Sequence, residues 1–434
     1  MTAATAPTIG VDFGTTNTVV SMTHGDDHAR LIRFSIDNRA LFAFRSALSF
    51  HSVQGERIVE AGPWAIEAYL EEPLETRFIQ SFKTFAASAA FTETRILDKR
   101  YQFEDLLAAF LLRLREHAGA QMADLPPRII VGRPVTFAGS SPNETLALTR
   151  YEAAFQRLGF TDIRYAYEPV GAAFFFARQL KQDATVLVAD FGGGTSDFSL
   201  VRFERAADGT LRSTPLSRSG VGLAGDAFDY RIIDQLVSPE LGKGSEYRSF
   251  SNKLPIPQRY YAAFARWDQL ALLRASKDMR DIRALERTAV EPDKIAALIE
   301  VLDGNHGYAL YRSVSALKEA LSSHDAATFL FEAGSVRIEK PVQRTDFEGW
   351  IAPELAAIEG AVAEALDRAG LSEGGVDRVF LTGGSSFVPA VRDIFLRRFG
   401  ASKIESGGEF ESIASGLALI GRESDLDLWT MRAG

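Results

Sequence analysis

Two apolar runs, each interrupted in the same way, stand out along this chain. Ile9-Gly10-Val11-Asp12-Phe13 leads into Gly14-Thr15-Thr16-Asn17 and then Thr18-Val19-Val20. Val186-Leu187-Val188-Ala189-Asp190-Phe191 leads into Gly192-Gly193-Gly194-Thr195 and then Ser196-Asp197-Phe198. Each is a buried-strand pattern ending in Asp-Phe-Gly, a bend of small and hydroxylated residues, and a second strand pattern. That is the signature of a β-hairpin with a glycine-rich bend. Two such hairpins, offset by 178 positions, predict two similar lobes rather than one continuous sheet.

Helical spacing takes over between them. Leu106, Leu107, Phe110, Leu111 and Leu114 predict an amphipathic helix over 103–120. A short strand over 128–131 runs into Arg133-Pro134, and 143–158 reads as a helix that Gly159 ends. Glu168-Pro169 opens a further helix to about residue 180, proline suiting its first turn, and Phe174-Phe175-Phe176 on it reads as core. The stretch 242–305 is rich in mixed charge and lacks long β runs, so a largely helical appendage is expected there. Helices are expected over 308–323, 351–369 and 388–399, with alternating strands through Val342 and a buried strand at Val379–Thr382. Ser424 to Trp429 reads as a frayed tail with some docked leucines.

Composition narrows the chemistry. The 434 residues are 46% hydrophobic and 24% charged, enough for a sizeable core. A net charge of −9 argues against a duplex-binding role, so no nucleic-acid partner is expected. There is no cysteine, which excludes disulfides, zinc-thiolate sites and a thiol nucleophile. Six scattered histidines form no metal motif. Neither a signal peptide nor a membrane span is visible, so a cytoplasmic protein without a membrane partner is expected.

Within the bends, Gly14 allows close backbone approach, and the amides with the Thr15 and Thr16 hydroxyls can donate to phosphate oxygens. Asp12 ends its strand where it could hold a hydrated Mg²⁺. Asp190, Gly192, Gly193, Gly194, Thr195 and Asp197 repeat the kit. One Asp-Gly bend alone is most often an ordinary tight turn; two favour a pair of loops closing on one polyphosphate. The G-x-x-x-x-G-K-[ST] loop is absent, and Gly220-Val221-Gly222-Leu223-Ala224-Gly225 reads as a glycine-rich turn before a helix.

These segments, with Val379-Phe380-Leu381-Thr382-Gly383-Gly384-Ser385-Ser386, resemble the two phosphate motifs and the adenosine motif of the actin/hexokinase/DnaK ATPase superfamily. Tyr167-Glu168-Pro169-Val170-Gly171-Ala172-Ala173, the segments 222–229 and 318–323, and Arg344-Thr345-Asp346-Phe347-Glu348 are similar to DnaK-type heat-shock chaperone patterns, nearest to the short YegD-like branch. The resemblance runs from about residue 9 to 421. It implies an α/β actin-like ATPase fold of two duplicated ribonuclease-H-like lobes around a nucleotide cleft. Lobe I would span 1–183 with an insertion at about 36–125. Lobe II would span 184–407 with a mostly helical insertion at about 230–345. Residues 408–434 would return to lobe I and form the tail, leaving no peptide-binding domain.

The same resemblance implies roles for individual residues. Asp12 and Asp190 would orient Mg²⁺ through water. Gly14, Thr15, Thr16 and Asn17, with Gly192 to Thr195, would cradle the β- and γ-phosphates, Thr195 contacting the γ-phosphate. Glu168 and Asp197 would position the attacking water, and Lys83 would neutralise the transferred group, a solvated surface lysine being the alternative. Gly225, Asp226, Lys318, Ser322, Gly383, Gly384, Ser385 and Phe387 would line the adenosine end. Ser315, Glu319 and Phe387 depart from the family there, and Phe387 either stacks on a base or is core. The connecting motif Phe410 to Gly416 lacks the usual Pro-Asp-Glu start. Arg133-Pro134 resembles the lobe-coupling proline, or simply ends a strand.

The implied activity is slow, Mg-dependent ATP hydrolysis driving a conformational switch, with ATP/ADP and Mg²⁺ as cofactors and K⁺ as a candidate further ion. The partners implied are a nucleotide and a co-chaperone or client protein, with the chain itself monomeric. Two other readings stay open: a small-molecule, sugar-type kinase of the same fold, and a non-hydrolysing nucleotide-binding scaffold.

Overall fold

The computed structural model describes residues 7–23, 28–37, 39–139, 141–177, 180, 182–205, 211–265, 273, 277–406, 408, 411–423 and 425–433. The chain divides into two compact units. One comprises residues up to Ala224 with Ala357–Ser386 and Val391 onward; the other comprises Gly225–Ala356 with Phe387–Ala390.

The first unit holds two sheets that repeat one another. Strands β1 (Ile9–Phe13), β2 (Asn17–Thr23), β3 (Ala29–Leu31), β4 (Arg128–Arg133) and β5 (Asp162–Tyr167) lie in the order β5-β4-β1-β2-β3, with Ala43–Arg45 also paired to β2. Strands β6 (Ala184–Phe191), β7 (Ser196–Arg205), β8 (Leu211–Val221), β9 (Arg378–Thr382) and β10 (Ile404–Ser406) lie in the order β10-β9-β6-β7-β8. In each sheet the central strand has a parallel neighbour on one side and its antiparallel hairpin partner on the other. The registers also repeat: Asp12 faces Val19 and Phe13 faces Thr18, while Asp190 faces Asp197 and Phe191 faces Ser196. This is the duplicated α/β arrangement of the actin-like ATPase fold. Both central strands are covered on two faces, which is why Val186 to Ala189 form an unbroken apolar run at 0% exposure.

Helices cover the sheets where the periodicity places them. Helix α1 (Phe103–Ala118) buries Leu107, Phe110 and Leu114 against Phe13, Phe44 and Phe82. Helix α2 (Glu144–Gln156) begins at Asn143, whose side chain accepts from the Leu146 amide at 3.0 Å. Gly159, at φ +99°, follows it. Helix α3 spans Glu168–Ala177, and residues 178–179, where its continuation was expected, lie outside the described residues. Helix α4 (Ser412–Ile420) is apolar nearly all round and buried accordingly. It approaches α3 backbone to backbone at Gly171 and Gly416.

The tail has the docked leucine expected, but it is ordered into a helix rather than frayed. Leu426–Trp429 form a short helix, with Leu426 and Trp429 buried and Leu428 exposed. The Trp429 ring meets Phe174 edge-on at 4.9 Å between centroids. Beyond it, Tyr165 and Met431 exchange two backbone hydrogen bonds of 2.8 and 2.9 Å along the outer edge of β5. Ser424 and Phe410 lie outside the described residues.

In the second unit, the helix Gly225–Ile232 continues into a π-turn over Ile233–Val237. Gly307–Ser323 packs on the hairpin of Ala326–Ala333 and Val336–Gln343, which buries Phe329 and Phe331 on one face. The helices expected in the appendage are present at Lys277–Glu286 and Pro292–Asp303. Arg274 lies outside the described residues. A hairpin not expected there joins Glu246–Ser249 to Asn252–Pro255. It escapes the strand pattern because its second strand is exposed throughout, so no apolar alternation marks it.

Candidate functional site

Both bends close in the same way. The Gly14 amide donates to the Asn17 carbonyl at 3.0 Å, and the Gly192 amide to the Thr195 carbonyl at 3.0 Å. The first bend is fastened from below by Ser46, a residue the sequence pattern did not single out. Ser46 Oγ donates to the Gly14 carbonyl at 2.7 Å and meets Thr18 Oγ1 at 2.9 Å, while its amide reaches the Thr16 carbonyl at 2.9 Å. The two bends face one another: a Cβ on Gly194 would stand 3.4 Å from Thr15 Oγ1 and 4.0 Å from Thr84 Cγ2.

Five charged side chains gather beneath the bends. Asp12 is partly buried, while Lys83, Glu168, Asp190 and Asp197 are buried. Lys83 Nζ lies 2.7 Å from Glu168 Oε1, with 9% and 5% of the two side chains exposed, so the surface-lysine alternative does not hold. Asp197 Oδ1 accepts from the Val135 amide at 2.7 Å and the Thr136 amide at 3.1 Å. These are the first amides after Arg133-Pro134, so that turn grips an acid of the second hairpin. Asp197 Oδ2 has no hydrogen-bond partner among the described residues. Tyr167, next to Glu168, lies between the guanidinium groups of Arg133 at 4.8 Å and Arg218 at 4.2 Å.

Four acids against one ammonium is an unbalanced set, and their proton affinities record it. Burial and then the Glu168 charge push Asp12 up to about 7, with Lys83 opposing. Burial and Glu168 likewise push Asp197 to about 7, against the pull of the Thr195 hydroxyl and of the Thr136 and Val135 amides. Asp190 is raised well above the ordinary aspartate value by burial, then by Glu168, Asp12 and Asp197. Burial works against the charge on Lys83, yet the Glu168 carboxylate holds that ammonium above the usual lysine value.

Among the described residues, no group of three or more His, Cys, Asp or Glu is placed to hold a metal directly. A hydrated Mg²⁺ carried by one or two carboxylates and phosphates fits this donor set, since it would also offset the surplus negative charge.

The adenosine-end residues named from the sequence fall in both units. Gly383, Gly384 and Ser385 follow β9 in the first. Gly383 has φ +80°, and a Cβ there would overlap the Phe191 carbonyl at the end of β6, so only glycine fits. In the second unit, Gly225 and Asp226 start the helix Gly225–Ile232. Lys318 and Ser322 lie one turn apart on the helix Gly307–Ser323. Lys318 pairs with Asp229 at 2.6 Å, and Ser322 Oγ donates to the Lys318 carbonyl at 2.8 Å. Phe387 is 51% exposed, which removes the core alternative. Residues Ser46, Val135, Thr136 and Tyr167 were not among those selected from the sequence. Arg133-Pro134 pointed to Val135 and Thr136 and the segment 167–173 to Tyr167, while nothing marked Ser46.

Comparison with known proteins follows the same lines. The model of the family described as Hsp70 protein matches residues 75–253 and 304–423. The chaperone protein DnaK of Thermus thermophilus, in each of two strains, is 23% identical over 424 residues. Each match covers 95% of this chain, which spans about 60% of the length of those relatives.

Proposed function

The chain belongs to the Hsp70 family, and from that premise we propose that it binds Mg·ATP and hydrolyses it slowly, as a nucleotide-driven conformational switch. The observation that carries this reading is the meeting of the two bends, Gly194 against Thr15, beside three buried acids, the partly buried Asp12 and one buried lysine. Two rows of backbone amides and hydroxyls can donate to the phosphate oxygens of one nucleotide there. Mg²⁺, when bound, supplies charge neutralisation of the phosphates.

The residues divide the remaining work. Thr15, Thr16, Asn17 and Gly192 to Thr195 hold the phosphates in place, and Asp12 and Asp190 orient the hydrated cation. Glu168 and Asp197 accept hydrogen bonds from the attacking water. Lys83, already charged and set against Glu168, meets negative charge on the transferred phosphoryl group without reorganising. On this reading, Asp197 is also where the nucleotide state is felt. Whatever Asp197 Oδ2 binds moves the Val135 and Thr136 amides that hold Oδ1. Adenosine recognition by Lys318, Ser322, Ser385 and Phe387, a K⁺ ion beside the phosphates, and a client or co-chaperone as partner belong to the same proposal.

Calorimetric titration with ATP and ADP in Mg²⁺, with turnover followed in parallel, tests it. Wild type should bind both and release phosphate, and Asp190→Ala should bind without turnover. No binding of either nucleotide would sink the reading, and phosphorylation of a sugar without ATP hydrolysis would replace it by the kinase.

A further inference from the structure

Lys83 sits on a weak support. It belongs to a single 3₁₀ turn, Phe82–Phe85, entered from Ser81 in the left-handed region at φ +53°. A one-turn helix leaves most of its carbonyls without intrahelical donors. The Ala86 amide to the Lys83 carbonyl at 3.0 Å, the Thr84 amide and hydroxyl to the Ser81 carbonyl at 3.1 and 2.9 Å, and the Ser88 amide to the Phe85 carbonyl at 3.1 Å close it locally.

Further donors come from α2. Arg150 Nη1 donates to the carbonyls of Phe85 at 3.0 Å, Ala86 at 2.9 Å and Ser88 at 3.2 Å. Its Nη2 donates to the Phe91 carbonyl at 2.5 Å. Arg150 is 9% exposed, and its guanidinium lies 5.9 Å from the Phe103 ring centroid. Among the described residues no carboxylate pairs with it directly, so backbone carbonyls are its hydrogen-bond partners, with the Glu104 charge and the Phe103 ring acting from farther off. That is an unusual use for an arginine, which ordinarily takes a carboxylate or phosphate when buried. The amide of Asn143, the cap of the same helix, adds a bond to the Ala87 carbonyl at 2.9 Å. One residue further along α2, Tyr151 is fully buried with its ring 5.9 Å from that of Phe13, the neighbour of Asp12. One helix therefore braces the segment after Lys83 and the strand end that carries Asp12.

We propose that Arg150 is a positioning residue that holds Lys83 against Glu168 by gathering the Phe85 carbonyl, which ends the turn that carries it, with the Ala86, Ser88 and Phe91 carbonyls that follow. A planar fork suits this, because Nη1 meets the Phe85, Ala86 and Ser88 carbonyls while Nη2 reaches that of Phe91. A lysine there would keep the charge but reach fewer carbonyls from a single nitrogen, and a glutamine would offer two donors and no charge. The consequence for turnover rests on the ATPase reading above. The consequence for Lys83 itself does not.

The test uses the full chain with Arg150→Lys and Arg150→Gln. A short pulse of an amine-acylating reagent, followed by peptide mass spectrometry, reads how often Lys83 is exposed. In wild type Lys83 should label slowly. In either folded variant its labelling should rise about tenfold or more, as local opening of the turn becomes easier. Labelling of Lys294 and Lys340 should stay unchanged. In the same variants kcat for ATP should fall by roughly ten- to a hundredfold with KM little altered. Adding the change to Lys83→Met should cost nothing further, because the effect passes through Lys83. Unchanged Lys83 labelling in a folded variant overturns the proposal, as does a rise shared by Lys294 and Lys340. Loss of the fold in both variants also overturns it, since Arg150 would then be a requirement of the fold. A wild type without ATPase activity, but with the selective labelling change, would sink the ATPase reading and leave this proposal standing.

Discussion

Lys83 Nζ lies 2.7 Å from Glu168 Oε1, and the two residues stand 85 positions apart in the chain. Both side chains are buried, so neither charge has water to fall back on. Removing one partner of such a pair leaves the other desolvated and unpaired, at a cost of about 3–5 kcal/mol. Lys83→Met should lose stability in that range in urea unfolding, and should lose phosphate release as well. Loss of turnover with stability unchanged would mean the pair is open in solution.

The three aspartates set a pH dependence whose sign is opposite to ordinary acid denaturation. Asp12 and Asp197 are pushed up to about 7 and Asp190 is raised well above its ordinary value. An aspartate in an unfolded chain titrates near 4. The fold therefore holds these protons more tightly than the unfolded chain does. That contribution is fully present below pH about 4 and is lost as pH rises towards 7, a change of up to about 4 kcal/mol for each of Asp12 and Asp197. Thermal melts of the nucleotide-free, Mg-free protein should fall in midpoint from pH 5 to pH 8. Asp190→Asn, which removes one buried charge, should raise stability at pH 8 by about 1–2 kcal/mol while abolishing turnover. A melting point that rises over the same window would show that these acids are ionised at little cost.

The hairpins and the helix beginning at Asn143 could be read from the chain, because each depends on residues close in sequence. Asp12 and Asp190 end apolar runs of the same kind, and their neighbours repeat at one offset. The donors to Asp197 could not be read in this way. Val135 and Thr136 contribute backbone amides, which carry no residue identity, and only the preceding proline marked the place. Ser46 and Arg150 act on carbonyls for the same reason and leave no motif. The polar hairpin at 246–255 is the converse case: its backbone pairs regularly, but its exposed side chains show no period.

Gly171 and Gly416 set how closely α3 and α4 pack. A Cβ on Gly416 would overlap the Gly171 carbonyl, and a Cβ on Gly171 would lie 2.9 Å from the Ile413 carbonyl. Backbone cannot rotate away as a side chain can, so Gly416→Ala should force the helices apart and cost about 1–3 kcal/mol. Gly360, exposed on the helix Ala352–Ala369 with nothing within 4 Å of where a methyl would stand, is the control. Gly360→Ala should stabilise by up to about 1 kcal/mol through helix propensity. Chemical denaturation of both variants separates close approach from a general intolerance of alanine.

Phe387 offers the sharpest check on the adenosine end. At 51% exposure it contributes little to the core, so Phe387→Ala should leave the melting point within experimental scatter. It ends the turn Gly384–Phe387, directly after Gly383, whose φ of +80° and contact with Phe191 fix the direction in which the chain leaves β9. A half-exposed aromatic ring held on such a turn is well suited to stack on a base, an interaction worth about 1–3 kcal/mol to alanine substitution. ATP and ADP should both weaken by roughly five- to a hundredfold in calorimetry. Inorganic triphosphate, which has no base, should bind the variant as it binds wild type. Equal losses for triphosphate and ATP would mean that Phe387 acts on the phosphate loops, and unchanged ATP affinity would remove it from the site.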